Sequence, residues 1–562
     1  VNKGSNEGLQ RRSVPRLSAK ALRLLIGASR LALVRRAAAK IVRDHLGISA
    51  AVALDAGLRS PMPLYYETLK ARPNRSYDSS LGLPASPTAV ASAGNWSDAF
   101  ASGATDPVAA VRQVIAEADR LKSATPSMNC FSYIDEEGAM RDAVASRERW
   151  RSGQPLGPLD GVVVPIKEMA SIQGSAFRLG TSFLPDRDDR DATAVARLRA
   201  AGAIILGQTP MTEMGMSAMG VNVHRNMPCN AHAANRGAGG SSTGSAVAVA
   251  SGLAPVTLAC DGGGSIRMPA SFNGIFGIKP TAGRVSRDRD GFGGTLDHFG
   301  PIGASAHDLA VFLEACAGPD ELDPITSAGP KVQPGEFVTA LGRGVRGLRI
   351  GVLQAEIDAA DSAVAKACRE ALTALEAEGA QLVDVSWDLA PFASGIGFII
   401  ISLETYAELL EQRRDPGVSL NPDFEFFLQA LSAFEANDYI DALCLRRTLQ
   451  EQCAELLRHV DVLALPTTVG VAPKISHREM AEGFSDLHEL RRACRFTLQG
   501  NLTGLPCGQA PVGTGEAGLP VGLQIVGDAF DEASVLAVMA HLERMGVASL
   551  RKARIAANPL GA

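Results

Sequence analysis

No two of the chain's nine cysteines (Cys130, Cys229, Cys260, Cys316, Cys368, Cys444, Cys453, Cys494, Cys507) are spaced as CxxC. An odd and scattered set supplies neither a disulfide framework nor a zinc ligand cluster, and reads as reduced thiols. Histidine is equally sparse, with nine residues and no HExxH pair, which disfavours metal-assisted hydrolysis; no metal and no cofactor are expected. Aromatic residues make up 5% of the chain and are absent from the basic N-terminal arm, so no nucleic-acid partner is expected. Long apolar runs are missing near the N-terminus: Leu24–Ile26 is short and Arg30 follows soon after. That excludes a transmembrane span and a secretory h-region there, and a cytoplasmic location is expected.

What the chain does have is 46% hydrophobic and 20% charged residues over 562 positions, enough for a large soluble core in one or two domains. Its net charge of −5 is uneven. Residues 1–46 hold eleven Lys/Arg against Glu7 and Asp44, a local balance of +9 that leaves −14 for the rest. This is a basic arm on an acidic body. Over Leu17–Leu46 the spacing predicts one helix, with Leu17, Leu24, Ala28 and Leu31 on one side and Lys20, Arg23 and Arg30 on another. Residues 1–60 are thus a basic helical extension, suited to docking on the body, to peripheral membrane contact or to an oligomer contact through residues 17–46. The protein is expected as a homodimer or a monomer. Residues 61–100, rich in Pro, Ser and Gly, read as a linker into a body spanning 101–562.

The body alternates strand and helix. Asp106 before Pro107 starts one helix and a second follows by residue 150. Gly161–Ile166 reads as a buried strand, Ala192–Ala201 as a helix and Ala203–Leu206 as a strand. Further elements are a helix over Gly244–Gly252, a strand–helix–strand over 347–386, strands at 461–466 and 518–527, and a closing helix Asp531–Arg544.

The most informative stretch runs from Gly237 to Lys279 and contains GAGGSST and DGGGSIR. Such glycine clusters let successive backbone N–H groups converge on one developing negative charge, as an oxyanion hole requires. Ser265, after Gly262, Gly263 and Gly264, is the candidate nucleophile, with those glycines and its own N–H as candidate donors. A serine needs a base, and the stretch holds no histidine. Lys167, at the end of GVVVPIKE, is the nearest base upstream; burial there would lower its pKa into a useful range. GSSTG (240–244) also fits GxSxG, but that elbow needs an apolar strand before it, and NAHAANRGAG is polar and glycine-rich.

Lys167, Ser241 and Ser265, with PLDGVVVPIKE, DATAVARLRAAGAIILGQT, GIKPTAGRVS, NLTGLP and GLPVGLQIVG, resemble the amidase signature family over roughly residues 95–550. The resemblance implies an α/β fold with a large twisted mixed β-sheet covered by α-helices on both sides. It also implies Ser241 as a bridging serine between Lys167 and Ser265, and a cis Gly240–Ser241 peptide. Ser242 would assist by hydrogen bonding or cap the following helix. Asp261 and Arg267 would pair with each other or with backbone groups and hold the loop, and Glu168 would cap or pair with a neighbour. The chain departs from the family's usual pattern at Thr243, at Gly262 and in GQTPMTEM. The variable helical stretch 388–460 offers Phe392, Phe398, Tyr406, Phe424, Phe426 and Phe427 for substrate selection. The expected activity is hydrolysis of aryl or hydrophobic acyl amides through an acyl-serine, extending to esters or carbamates. The alternative is the glutamine-amidase subunit of a tRNA-dependent amidotransferase.

Overall fold

The computed structural model describes residues 16–29, 31–54, 57 and 91–561, except 177, 185–187, 290–293, 411, 413, 414 and 416. Residues 1–15, Arg30 and most of the expected linker (58–90) lie outside these. Thirteen strands occur among the described residues: β1 Leu17–Ser18, β2 Tyr133–Ile134, β3 Ile166–Lys167, β4 Gly207–Thr209, β5 Val256–Cys260, β6 Phe276–Lys279, β7 Phe299–Gly303, β8 Arg349–Val352, β9 Gln381–Asp384, β10 Val462–Pro466, β11 Phe484–Ser485, β12 Cys507–Thr514 and β13 Pro520–Val526. Eleven form one sheet in the order β2-β4-β3-β5-β7-β6-β12-β13-β10-β8-β9. Within it β3 runs parallel to β4 and β5, and β8 parallel to β9 and β10; the other neighbours are antiparallel. The expected mixed sheet flanked by helices is what forms.

Local chemistry explains the helix starts. Asp106 accepts the N–H groups of Val108 and Ala109 ahead of Pro107, and Asp531 accepts that of Ser534 at the start of Glu532–Arg544. The amphipathic helix Ser362–Ala377 lays its buried stripe on β12 and β13. By contrast, Thr243–Ala250 is buried all round. Its small residues permit this: a Cβ on Gly244 would sit 2.4 Å from the Pro210 ring.

Two strand expectations shift along the chain. Gly161–Ile166 is mostly not a strand, because Pro165 has no N–H to give a ladder. Only the Val163–Ile204 bridge forms there, and regular pairing begins at Ile166. Its partner begins correspondingly late, at Gly207 rather than Ala203. The end of the expected linker is also regular: Ala93–Ala101 is a helix, closed by a capping box between Ser92 and Asn95.

The N-terminal extension is helical, but not as one helix. Leu17 belongs to β1, paired with Ser485 of β11, and the helices Ala19–Ala28 and Ala32–His45 are separated around Ser29, whose hydroxyl donates to the Ile26 carbonyl. The break resets the phase of the apolar stripe. Ala19, Leu22, Ala38, Ala39 and Val42 face inward, while Leu24 and Leu31 are 68% and 66% exposed. The extension packs on helices Pro422–Leu431 and Leu487–Cys494. Arg43 anchors it with two hydrogen bonds of 3.0 Å to Asp438, and Arg16 stacks 4.3 Å over the Phe484 ring. The apolar helix Ala393–Glu408 lies mainly inside the fold as a core helix.

Candidate active site

Lys167 ends the two-residue strand β3 and is 1% exposed. Its Nζ lies 2.7 Å from Ser241 Oγ and 3.2 Å from the Cys260 carbonyl. Burial dominates its titration and pulls its pKa below the ordinary lysine value, against the opposing influence of Cys260, Asp297, Asp261 and Glu168. The Gly240–Ser241 peptide is cis. Ser242, at the N-cap position of Thr243–Ala250, does not cap it with its side chain; its Oγ donates to the same Cys260 carbonyl, at 3.2 Å. Ser265 lines the same cleft as Lys167 and Ser241.

The loop before Ser265 is held from below by one carboxylate. Asp261 accepts the N–H of Gly264 (2.6 Å) and of Ile266 (3.1 Å), and receives Arg267 Nε at 3.0 Å and Nη2 at 2.8 Å. Asp261 and Arg267 are completely buried. Burial alone would raise the aspartate's pKa; the guanidinium charge and hydrogen bonds from Arg267 and Asn501 outweigh it and hold the carboxyl well below its usual range. Arg267 spends its other donors on the Thr497 carbonyl, Gln524 and Asn501. The expected pairing is therefore present, with an added consequence. The Gly264 N–H is committed to Asp261 and cannot serve an oxyanion. Gly262, Gly263 and Ser265 have N–H groups without an acceptor among the described residues.

Gly264 is needed for its shape. Its φ is +121°, and a Cβ there would lie 2.4 Å from Thr497 Oγ1, which itself donates to the Gly263 carbonyl at 2.6 Å. Gly264→Ala is expected to distort this loop and, if its N–H groups serve an oxyanion, to lower kcat by about 10²-fold or more. Its effect on KM should be smaller, and steady-state kinetics on any cleaved amide would check it.

Glu168 pairs with Arg225 at 3.3 Å and accepts the Met211 N–H, a structural role. Among the aromatic candidates, Phe398 lines the cleft, and Phe424, Phe426 and Phe427 line a second cavity that continues it. Phe392 is buried in the core and Tyr406 packs against it; neither reaches the cavities. Sequence reasoning missed Met214, Met216, Met268 and Asp297, which also line the cleft. A signal existed for the first two: four methionines crowd into residues 211–219, and flexible thioethers are frequent at adaptable apolar binding surfaces. No group of His, Cys, Asp and Glu suited to a metal occurs among the described residues.

A mixed sheet that brings a buried lysine, two serines and a glycine loop to one cleft defines a hydrolase of the amidase class. The chain belongs to the amidase signature family: the profile described as Amidase matches residues 112–536. It is 34% identical to a fatty acid amide hydrolase of Medicago truncatula, over 77% of this chain and 72% of the relative. It is 35% identical to a component of the glutamyl-tRNA(Gln) amidotransferase of Chloroflexus aurantiacus, over 76% and 91% respectively. Among solved structures it resembles the peptide amidase of Stenotrophomonas maltophilia, with a TM-score of 0.70 and 25% identity, covering 84% of this chain and 99% of that one. The protein is an amide hydrolase.

Proposed function

We propose that this amidase cleaves amides of long apolar acyl groups through an acyl-Ser265 intermediate. The observation that carries the reading is the buried Lys167–Ser241 contact in a cleft shared with Ser265 and continued by an apolar cavity. With Lys167 neutral, one of its N–H groups is held by the Cys260 carbonyl and its lone pair is available to the Ser241 hydroxyl. Ser265 Oγ attacks the amide carbon as its proton passes to Ser241 Oγ, and the Ser241 proton passes to Lys167 Nζ. The oxyanion is received by N–H groups of Gly262, Gly263 and Ser265. On collapse the C–N bond breaks, and the lysinium returns the proton through Ser241 to the departing amine. Water then attacks the acyl carbon by the same relay, releasing the acid and restoring Ser265.

The similarity to a fatty acid amide hydrolase supports the apolar acyl group, as do the methionines and phenylalanines along the two cavities. Esters and carbamates present the same electrophilic carbon and fall within the same mechanism. The similarity to an amidotransferase component favours a second reading, glutamine amide hydrolysis within a larger assembly. A fluorophosphonate probe is expected to label Ser265 in the wild-type chain and to leave Ser265→Ala unlabelled. A panel of long-acyl amides, anilides and glutamine separates the two readings: glutamine cleavage without acyl-amide cleavage overturns the first.

A further inference from the structure

The catalytic cleft does not end at the glycine loop. A second cavity of about 530 Å³, its opening included, shares Met216, Ser217, Phe398 and Leu490 with it and carries it outward. Its wall carries the rings of Phe424, Phe426 and Phe427 on helix Pro422–Leu431 and of Phe484 on β11, with Ser217 and Ser485 as polar neighbours. Asp423 stands among them. It lies in the first turn of that helix and keeps some accessible surface, with its carboxylate met by the Phe424 backbone N–H. Among the described residues, no lysine, arginine or histidine lines the chamber.

The first-turn N–H groups of its helix partly offset the burial of this carboxylate, and among the described residues no cation completes the compensation. The chamber's other acid is already engaged: Asp486 caps helix Leu487–Cys494 through the Glu489 N–H, with Arg16 at 4.0 Å. Behind Asp423 stands Glu213, which accepts the Asn421 N–H and carries His224 at 3.4 Å. Burial, reinforced by the negative charge of Glu213, pushes the Asp423 carboxyl up to about 7. A positive charge brought into the chamber would relieve both effects.

We propose that this chamber is a distal subsite in which Asp423 receives a primary ammonium group at the far end of the substrate's acyl chain, making ω-aminoacyl amides the preferred class. The inference rests on the reading of the cleft and chamber as an acyl channel. A bound ammonium would make a charge-assisted hydrogen bond to the carboxylate, whereas a methyl terminus would leave the carboxylate further desolvated and unpaired.

The test compares anilides of ω-amino acids with anilides of methyl-terminated acids of matched length, over a series of lengths. One charge-assisted bond predicts that wild-type kcat/KM favours the amino series by about tenfold at the best length, a preference that Asp423→Asn removes and Asp423→Leu reverses. An amino-to-methyl ratio equal in wild type and Asp423→Asn overturns the subsite and leaves the acyl channel standing. If neither series is cleaved while short anilides are, the channel falls and the subsite with it. A second measurement needs no variant: long-chain primary amines should inhibit the wild type more strongly than alcohols of equal length. Equal potency overturns the proposal.

Discussion

Lys167→Met is expected to reduce kcat/KM by about 10⁴- to 10⁶-fold, the range seen on removing members of a serine hydrolase's proton relay, with Ser265 and the glycine loop left in place. The argument is geometric first. Lys167 is the titratable side chain hydrogen-bonded to Ser241, and it reaches both Ser241 and the Cys260 carbonyl that also fixes Ser242. The same variant tests the electrostatics. Burial lowers the lysine's pKa, so wild-type kcat/KM should fall toward acid as the amine takes its proton, and the small residual rate of the variant should lack that limb. Stability must move the same way. Between the folded pKa and the unfolded value of about 10.4, the unfolded chain binds the extra proton, so the wild type gains stability from this group as pH rises. Lys167→Met has no such dependence. Its stability relative to wild type should therefore improve as pH is lowered, which thermal melts at several pH values would show. A pH-independent difference would mean that the lysine is charged in the fold.

The shape of the glycine loop and the burial of Lys167 were legible in the sequence because backbone demands wrote them there. Glycines stand at 262 and 264 because a Cβ there would collide with Asp297 or Thr497, and Lys167 follows an apolar run because it is buried. The donor set was misread at one position for an instructive reason. Expecting Asp261 to pair with Arg267 or with backbone groups did not say that the Gly264 N–H would be among its donors, since which N–H groups a side chain takes depends on loop conformation. Substrate contacts were half legible. Phe398 and Phe424 stand on helices whose apolar periodicity shows, whereas Met214 lies in a loop with φ of +49°, and only the assembled fold turns it to the cleft. The extension misled through its periodicity: Leu17, Leu24 and Leu31 repeat every seven residues, but Leu17 pairs in a strand and a break at Ser29 separates the other two. A regular spacing predicts a shared face only while the helix continues.

Arg267→Leu should have the largest effect on stability. The guanidinium is completely buried and makes hydrogen bonds to Asp261, Thr497, Gln524 and Asn501. Its removal leaves a buried carboxylate and three acceptors short of donors, a loss of about 3–5 kcal/mol by analogy with other broken buried pairs. Urea unfolding followed by intrinsic fluorescence would measure it. The pH dependence gives the mechanism. In the wild type the Asp261 carboxyl is held below its unfolded value, so the stability it contributes is present above about pH 3.9 and is lost as pH falls through the folded value. Without Arg267, burial is the largest influence and pushes that pKa up, so the variant should instead lose stability as pH rises above about 3.9. The variant's activity should instead be lowest at acid pH, because a protonated Asp261 has one oxygen fewer to accept the N–H groups of Gly264 and Ile266, and the loop that presents Gly262, Gly263 and Ser265 loosens. Asp261→Asn combined with Arg267→Leu removes both charges and keeps one acceptor for the loop. It should therefore recover part of the stability lost in Arg267→Leu, and its unfolding should no longer depend on pH through this site. If the double variant is no more stable than Arg267→Leu at any pH, the uncompensated charge is not what the arginine answers, and packing of its side chain is.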